Sequence, residues 1–257
     1  MKRTLLLLPL LIACGDPLYL GGDGGAPISG RSDPAAYVRG GHPSLVVEID
    51  VADGRAPRAG VTAEVSGAIA PLLDKPDGID FVMDGVIPAE RLQDEWTFDD
   101  LRALADDTFD GLGRADQAVM HTMWLPGRYL SDGGGTVLGV AWSNRHVAIF
   151  TDAIDSSCGG LLPTIRERIC REAEAAVWTH EIGHVIGLVN NGIPMVADHE
   201  DGEHPHHTTD MDGVMYWAYE GASVGDLLAG RLAGGDGRLF EFGPASVADV
   251  AAFRDGG

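Results

Sequence analysis

The distribution of apolar residues along the chain predicts strands first and a long helix later. Five segments have the apolar runs that are typical of strands: 45–49, 78–86, 118–125, 136–142 and 146–151. Residues 61–73 have helical spacing, whereas residues 88–113 are polar and are predicted to form a loop with a short helix. The pattern therefore predicts a sheet that is formed before the long helix begins.

That long helix is the clearest element of the pattern. Thr164 and Glu167 have the spacing of a capping box, and Pro163 just before them fits a helix start. Apolar residues and two histidines then follow in steps of three or four: Ile165, Ile169, Ala173, Val177, His180, His184 and Leu188. Gly187 and the Asn-Asn-Gly that follows are predicted to end the helix. The two histidines therefore continue its buried face.

The N-terminus has the form of an export signal. Lys2 and Arg3 precede an apolar run over residues 5–12, which is too short to span a bilayer but suits a signal peptide. The Leu-Ile-Ala-Cys that ends at Cys14 resembles a bacterial lipobox, which implies a lipidated cysteine; an ordinary signal peptide is the alternative. We expect residues 1–14 to be this signal and residues 15–44 to be a Gly- and Pro-rich tether without a fold.

Charge and cysteine content limit the partners and the compartment. Lys and Arg total 18 against 39 Asp and Glu, a formal charge of −21, so nucleic acid is not expected as a partner. Besides Cys14 the chain has Cys158 and Cys170, which in an oxidising compartment predict one disulfide, with free buried thiols as the alternative. We expect an extracytoplasmic monomer in the cell envelope, attached through Cys14 to the outer membrane or the cell surface.

The candidate chemistry lies on the long helix. His180-Glu181-Ile182-Gly183-His184 places two imidazoles one turn apart on one face, so that both can reach a single tetrahedral Zn²⁺. Glu181 stands beside them, where it can take a proton from a water molecule that attacks a peptide carbonyl. The alternative is a pair of hydrogen-bonded core histidines.

The stretch from His180 to Gly187 resembles the metzincin clan of zinc metallopeptidases. Gly213-Val214-Met215-Tyr216 resembles the Met-turn of that clan, as the matrixins show it. The resemblance implies an α+β fold over residues 45–257, with a twisted mixed sheet and two helices above a small irregular C-terminal subdomain. It also implies that residues 136–142 form the edge strand that pairs with an extended peptide substrate.

The third zinc ligand is where this chain departs from the clan. The clan has His or Asp three residues after the glycine, but Asn190 stands there, and its neutral amide is a poor zinc ligand. In archaemetzincins the spacing from the third histidine to the Met-turn methionine matches that from His207 to Met215, which implies that His207 is the ligand. The alternatives are His199, His204, His206 and Asn190, or Glu200 or Glu203 in the manner of the gluzincins.

The sequence therefore predicts a zinc-dependent endopeptidase that acts on peptide or protein substrates, with His180, His184 and His207 as metal ligands and Glu181 as the general base. The competing prediction is a non-catalytic surface lipoprotein of the same fold that binds a metal or a partner. A zinc-scavenging protein that uses the histidines between residues 199 and 207 is a third possibility.

Overall fold

The computed structural model describes residues 32–131, 134–236 and 238–256 of the chain. The α-helices are α1 (Pro34–Val38), α2 (Val61–Ile69), α3 (Phe98–Thr108), α4 (Thr151–Ser157), α5 (Pro163–Val185), α6 (Val224–Gly234) and α7 (Pro244–Asp255). The strands are β1 (Ser44–Ala52), β2 (Ile79–Ile87), β3 (Glu95–Trp96), β4 (Gln117–Leu125), β5 (Arg128–Tyr129), β6 (Gly139–Trp142) and β7 (His146–Phe150). Short 3-10 helices cover Ala70–Leu72, Ala89–Arg91 and Trp217–Glu220.

A five-stranded, mostly parallel sheet forms the centre of the fold. Its strand order is β2-β1-β4-β7-β6, with β1 parallel to β2 and β4, β4 parallel to β7, and β6 antiparallel to β7 at one edge. Strands β1 and β7 are buried along their whole length, as expected where both faces of a parallel sheet are covered. The predicted strands are confirmed, although the one predicted at 136–142 is the shorter β6.

Helix α5 packs with α2 against one face of this sheet. Trp178 on α5 donates a hydrogen bond from Nε1 to Thr122 Oγ1 of β4 over 3.0 Å. Its ring also meets those of Trp124 and Phe81 edge-on, at centroid distances of 5.2 and 5.3 Å. A fully buried large apolar side chain contributes roughly 1.5–3 kcal/mol, so these contacts fix the second half of α5 on the sheet.

The start of α5 differs from the prediction. Its N-cap is Leu162, and no side chain of the described chain caps this terminus. The predicted capping box is wrong because Pro163 occupies the first helical turn, where its fixed φ and missing N–H fit. Thr164 therefore lies inside the helix. Cys170 in α5 is disulfide-bonded to Cys158 at the end of α4, with 5.7 Å between the Cα atoms.

A row of buried polar side chains crosses the sheet face opposite α5. Glu48, His121 and His146 are aligned on β1, β4 and β7. Thr122 of β4 points toward α5, and successive side chains of a strand point to opposite faces of the sheet, so these three point away from α5. His121 Nε2 lies 2.8 Å from Asp50 Oδ2, and its Nδ1 lies 3.0 Å from His146 Nδ1. Burial, followed by the charge of His121, lowers the pKa of His146 to about 2. His146 is therefore neutral at pH 7.

The segment predicted as a tether is folded in its last part. Residues 34–38 form α1, and Tyr37 and Val38 are buried in the core. Tyr37 donates a hydrogen bond from its hydroxyl to the carbonyl oxygen of Asn144 over 2.8 Å. These residues differ from the prediction because their apolar side chains pack on the domain. Cys14, the predicted signal and residues 15–31 lie outside the described residues.

The C-terminal part is more helical than the small irregular subdomain that was predicted. Loops cover residues 186–216, but α6 and α7 follow, with Val224, Leu228 and Val250 buried. Seven α-helices and a mostly parallel sheet make the described chain a mixed α/β structure. Among the residues that the structure describes, no helix has both the length and the apolar composition needed to cross a membrane.

Candidate metal centre

His180, Glu181 and His184 lie near the C-terminal end of α5, in its fully enclosed half. Their exposed fractions are 0%, 1% and 8%. Residues four apart on a helix share a face, and the Nε2 atoms of His180 and His184 are 3.1 Å apart. Two nitrogens that each lie about 2.1 Å from a tetrahedral zinc ion are separated by roughly 3.4 Å. The spacing of the two imidazoles is therefore close to that of zinc ligands.

Hydrogen bonding on the far side of each ring sets which nitrogen faces the centre. His180 Nδ1 lies 2.7 Å from the carbonyl oxygen of Val214 and His207 Nδ1 lies 2.9 Å from that of Pro205. A carbonyl only accepts, so Nδ1 carries the proton in both residues and the neutral Nε2 presents a lone pair. The lone pairs of these Nε2 atoms converge, which favours a cation between them.

His207 reaches the centre from the irregular segment after α5. An isolated antiparallel bridge between Glu200 and Thr208 closes this segment, and Thr208 N donates to the carbonyl oxygen of Met215 over 3.0 Å. The His207 ring stacks on His180 at 5.1 Å and is fully buried. The structure thus brings His180, His184 and His207 together.

Glu220 is a fourth member of the centre that the sequence analysis missed. It ends the 3-10 helix Trp217–Glu220, and its side chain is 9% exposed. Its Oε1 lies 3.3 Å from His207 Nε2 and its Oε2 lies 3.4 Å from His180 Nε2. One possible ligand atom each from His180, His184, His207 and Glu220 lie within 4.8 Å of one another. The sequence feature that could have indicated this role is the position of Glu220, a carboxylate at the end of the aromatic run that follows the Met-turn.

The donor set fits a zinc ion. Within the described residues, His207 Nε2, Glu220 Oε2 and Glu181 Oε1 are buried without a hydrogen-bond partner. Buried polar atoms are normally paired, so three unpaired ones around one point favour a bound cation. Three imidazole nitrogens and a carboxylate oxygen are ligands that zinc accepts in tetrahedral sites.

Burial and mutual charge set the ionisation of these groups. Burial, followed by the charges of His180 and His207, lowers the pKa of His184 well below its usual value. Burial and the Glu220 carboxylate raise the pKa of Glu181 well above its usual value. Burial opposes ionisation of His207 and Glu220 too, but their attraction outweighs it, so the pKa of His207 is raised and that of Glu220 is lowered. Without metal, the negative charge therefore resides on Glu220 and not on Glu181.

Gly139 at the start of β6 makes room for Glu181. A β-carbon at position 139 would lie 2.6 Å from Glu181 Oε1. The first residue of the edge strand is thus in contact with the carboxylate that was predicted as the general base. This contact places the start of β6 at the centre.

The chain leaves α5 at a glycine, as the motif suggested. Gly187 has φ of 90°, and a β-carbon there would lie 2.9 Å from Pro34 Cγ. Positive φ values favour glycine at helix ends. Asn190, three residues later, is exposed and donates from Nδ2 to Glu200 Oε2 over 3.3 Å. The structure therefore places Asn190 outside the centre.

The other candidate ligands have partners of their own. His199 Nε2 lies 2.7 Å from Asp249 Oδ2, and the His204 ring stacks on Trp217 at 4.5 Å. His206 Nδ1 lies 3.3 Å from the carbonyl oxygen of Val189. Glu200 accepts from the backbone N–H of His206, and Glu203 is exposed. None of these five side chains belongs to the group of four that converges in the described part of the chain.

Comparisons with known proteins show a similarity to solved structures. No family model matches the sequence, and no curated protein matches it. Among solved structures, the chain is similar to an archaemetzincin from Methanopyrus kandleri at 18% identity and a TM-score of 0.45. The alignment covers 76% of this chain and 98% of that chain.

Proposed function

We propose that this chain is a zinc-dependent endopeptidase, in which His180, His184 and His207 hold the metal and Glu181 is the general base. The observation that carries the proposal is the convergence of three buried imidazoles, two of them with Nε2 fixed as the free nitrogen, beside a buried carboxylate. A zinc ion in such a site lowers the pKa of a water molecule and polarises a carbonyl group.

Glu181 performs the proton transfers of this reaction. Beside a bound metal ion, whose charge favours the ionised carboxylate, it would take a proton from the attacking water and then donate it to the leaving amine. Because Gly139 lies against Glu181, a peptide that pairs with β6 brings its carbonyl carbon near this carboxylate. The edge strand thereby positions the substrate.

The proposed setting follows from the N-terminal sequence alone. Lipidation of Cys14 would attach a monomeric enzyme to the outer membrane or cell surface, outside the cytoplasm, with peptides or proteins as substrates. Cys14→Ser should move the protein from the membrane fraction to the soluble fraction. Recovery of that variant with membranes would contradict a lipid anchor.

The test of the activity is cleavage of a peptide library by the zinc-loaded protein, with and without a chelator. Glu181→Gln should retain stoichiometric zinc and lose about 100-fold or more of the cleavage rate, because general acid–base catalysis is worth at least that much. Glu167→Gln, at an exposed position of the same helix, is the matched control and should cleave normally. Full cleavage by Glu181→Gln, or cleavage that a chelator leaves unchanged, would contradict the proposal.

One observation favours the non-catalytic alternative. Glu220 brings the number of protein donors to four, and four protein ligands are typical of structural zinc sites, whereas catalytic sites keep one position open. If zinc-loaded protein binds the metal tightly and cleaves nothing, even after replacement of Glu220, the chain is a metal-binding lipoprotein. Cleavage by any zinc-loaded form excludes that alternative.

A further inference from the structure

We infer that Glu220 is a displaceable fourth ligand that closes the metal centre, so that its carboxylate must leave before water or a substrate carbonyl can enter. The inference rests on the proposed function in that it assigns a zinc ion to the three histidines. It adds a regulatory state of that centre, in which the resting form is closed.

The position of the Glu220 carboxylate supports this role. Each of its oxygens lies within 3.4 Å of a different imidazole, one of His180 and one of His207. Neither contact has hydrogen-bond geometry within the described residues, since His207 Nε2 and Glu220 Oε2 are both without a partner there. A carboxylate that is buried beside imidazole nitrogens is stabilised by a positive charge between them, which is a proton on the imidazole in the metal-free chain and a metal ion in the proposed centre.

The backbone around Glu220 pairs with the two residues that directly precede β6. Leu138 N donates to the carbonyl oxygen of Glu220 over 3.1 Å, and Val137 forms an isolated antiparallel bridge with Gly221. Both contacts are made by residues that directly precede β6. Glu220 and Gly221 therefore lie beside both the proposed metal position and the start of β6.

Tyr219, on the N-terminal side of Glu220, is held more firmly than Gly221 on its C-terminal side. Tyr219 is fully buried and donates from its hydroxyl to the carbonyl oxygen of Leu239 over 3.2 Å. Gly221, in contrast, meets the neighbouring segment through a single bridge, and a β-carbon there would come no nearer than 3.8 Å to another heavy atom. Release of Glu220 and Gly221 thus needs loss of the bridge to Val137, with the hydrogen bond from Leu138, and of the hydrogen bond from Val224 N to Gly221 O, while Tyr219 stays in place.

A closed centre has no water on the metal that exchanges with solvent, which can be measured without any substrate. The experiment uses the Co²⁺-substituted protein and compares water-proton relaxation in the wild type, Glu220→Ala and Glu220→Asp. Glu220→Asp keeps the charge but shortens the side chain by one methylene, and it serves if Glu220→Ala fails to fold. Glu241→Gln, at an exposed position, is the control for loss of a carboxylate.

We expect the wild type and Glu241→Gln to show relaxation like that of a coordinatively closed ion, and both Glu220 variants to show added relaxation from an exchangeable water. The Glu220 variants should also release zinc to a chelator about tenfold faster or more, since even partners outside the ligand shell change metal affinity 10–100-fold. Equal relaxation and equal zinc release in the wild type and both Glu220 variants would overturn the inference.

The peptide assay separates this inference from the peptidase proposal. If both are right, Glu220→Ala cleaves peptides about tenfold faster or more than the wild type, because the open position is no longer occupied. If the relaxation differs as expected but no variant cleaves, Glu220 is a ligand and the peptidase proposal fails. If the wild type cleaves and shows exchangeable water, the peptidase proposal holds and the closed state does not exist.

Discussion

Gly183 of α5 and Met215 of the Met-turn are packed so closely that a β-carbon at position 183 would overlap the Met215 sulfur. The methionine side chain therefore fills the space that the glycine leaves on the helix between His180 and His184. The carbonyl oxygen of Val214, the residue before Met215, accepts a hydrogen bond from His180 Nδ1. The turn thus supports the centre through one packing contact and one hydrogen bond.

Gly183→Ala should displace Met215 and with it the partner of His180. We expect a loss of about 1–3 kcal/mol in the free energy of unfolding, the usual cost of overpacking, and weaker zinc binding. Gly67→Ala is the control, because Gly67 lies in α2 with nothing within 4 Å of an added β-carbon, and it should stabilise the protein slightly. Denaturant titration with and without zinc measures both the free energy of unfolding and the strength of zinc binding. An unchanged zinc affinity in Gly183→Ala would remove the Met-turn from the support of the centre.

Gly139→Ala should disturb Glu181, the proposed general base, without loss of zinc binding. The new methyl group would lie 2.6 Å from Glu181 Oε1, so Glu181 has to move. We expect about a tenfold or greater loss of peptide cleavage at unchanged zinc content, because small misplacements of catalytic groups are costly. Gly135→Ala, where an added β-carbon meets nothing within 4 Å, should behave like the wild type. Equal cleavage by both variants would argue against contact between β6 and the base.

His207→Ala should lose zinc that His206→Ala keeps. His207 is fully buried with Nε2 toward His180 and Glu220, whereas the neighbouring His206 faces Val189 and is half-buried. Loss of one imidazole from the centre should weaken zinc binding by about tenfold or more, since partners outside the ligand shell already change affinity that much. Atomic absorption after dialysis against a weak chelator measures the difference. Equal zinc content in the two variants would remove His207 from the ligand set.

Stability toward acid should depend on His146. Its pKa is about 2 in the folded protein and near 6.5 when unfolded, so the unfolded chain binds the extra proton as the pH falls through this interval. The stabilising contribution is complete above pH 6.5 and is lost as the pH falls toward 2. Between pH 6 and 4, the wild type should lose up to about 1.4 kcal/mol per pH unit more than His146→Phe. Parallel stability curves of the two proteins would contradict a neutral buried His146.

The sequence determined those features that depend on local periodicity. The strands β1, β2, β4 and β7 have apolar runs that mark them, and α5 carries its histidines on the apolar stripe at steps of three or four. The placement of His180, Glu181 and His184 together needed nothing more than helical geometry. The same logic failed at the start of α5, because the sequence is compatible both with Pro163 at the first helical position and with a capping box that begins one residue later, at Thr164.

Tertiary structure alone decided which distant side chains complete the centre. Four histidines lie between residues 199 and 207, and their spacing is uninformative since the segment is irregular and has positive φ at His206. Glu220 reaches the imidazoles from a 3-10 turn that is held by hydrogen bonds to Leu138 and Leu239, both far from it in the sequence. Likewise α1 is held by Tyr37 contacting Asn144, far along the chain. Such contacts depend on the path of loops through space, which local propensity does not encode.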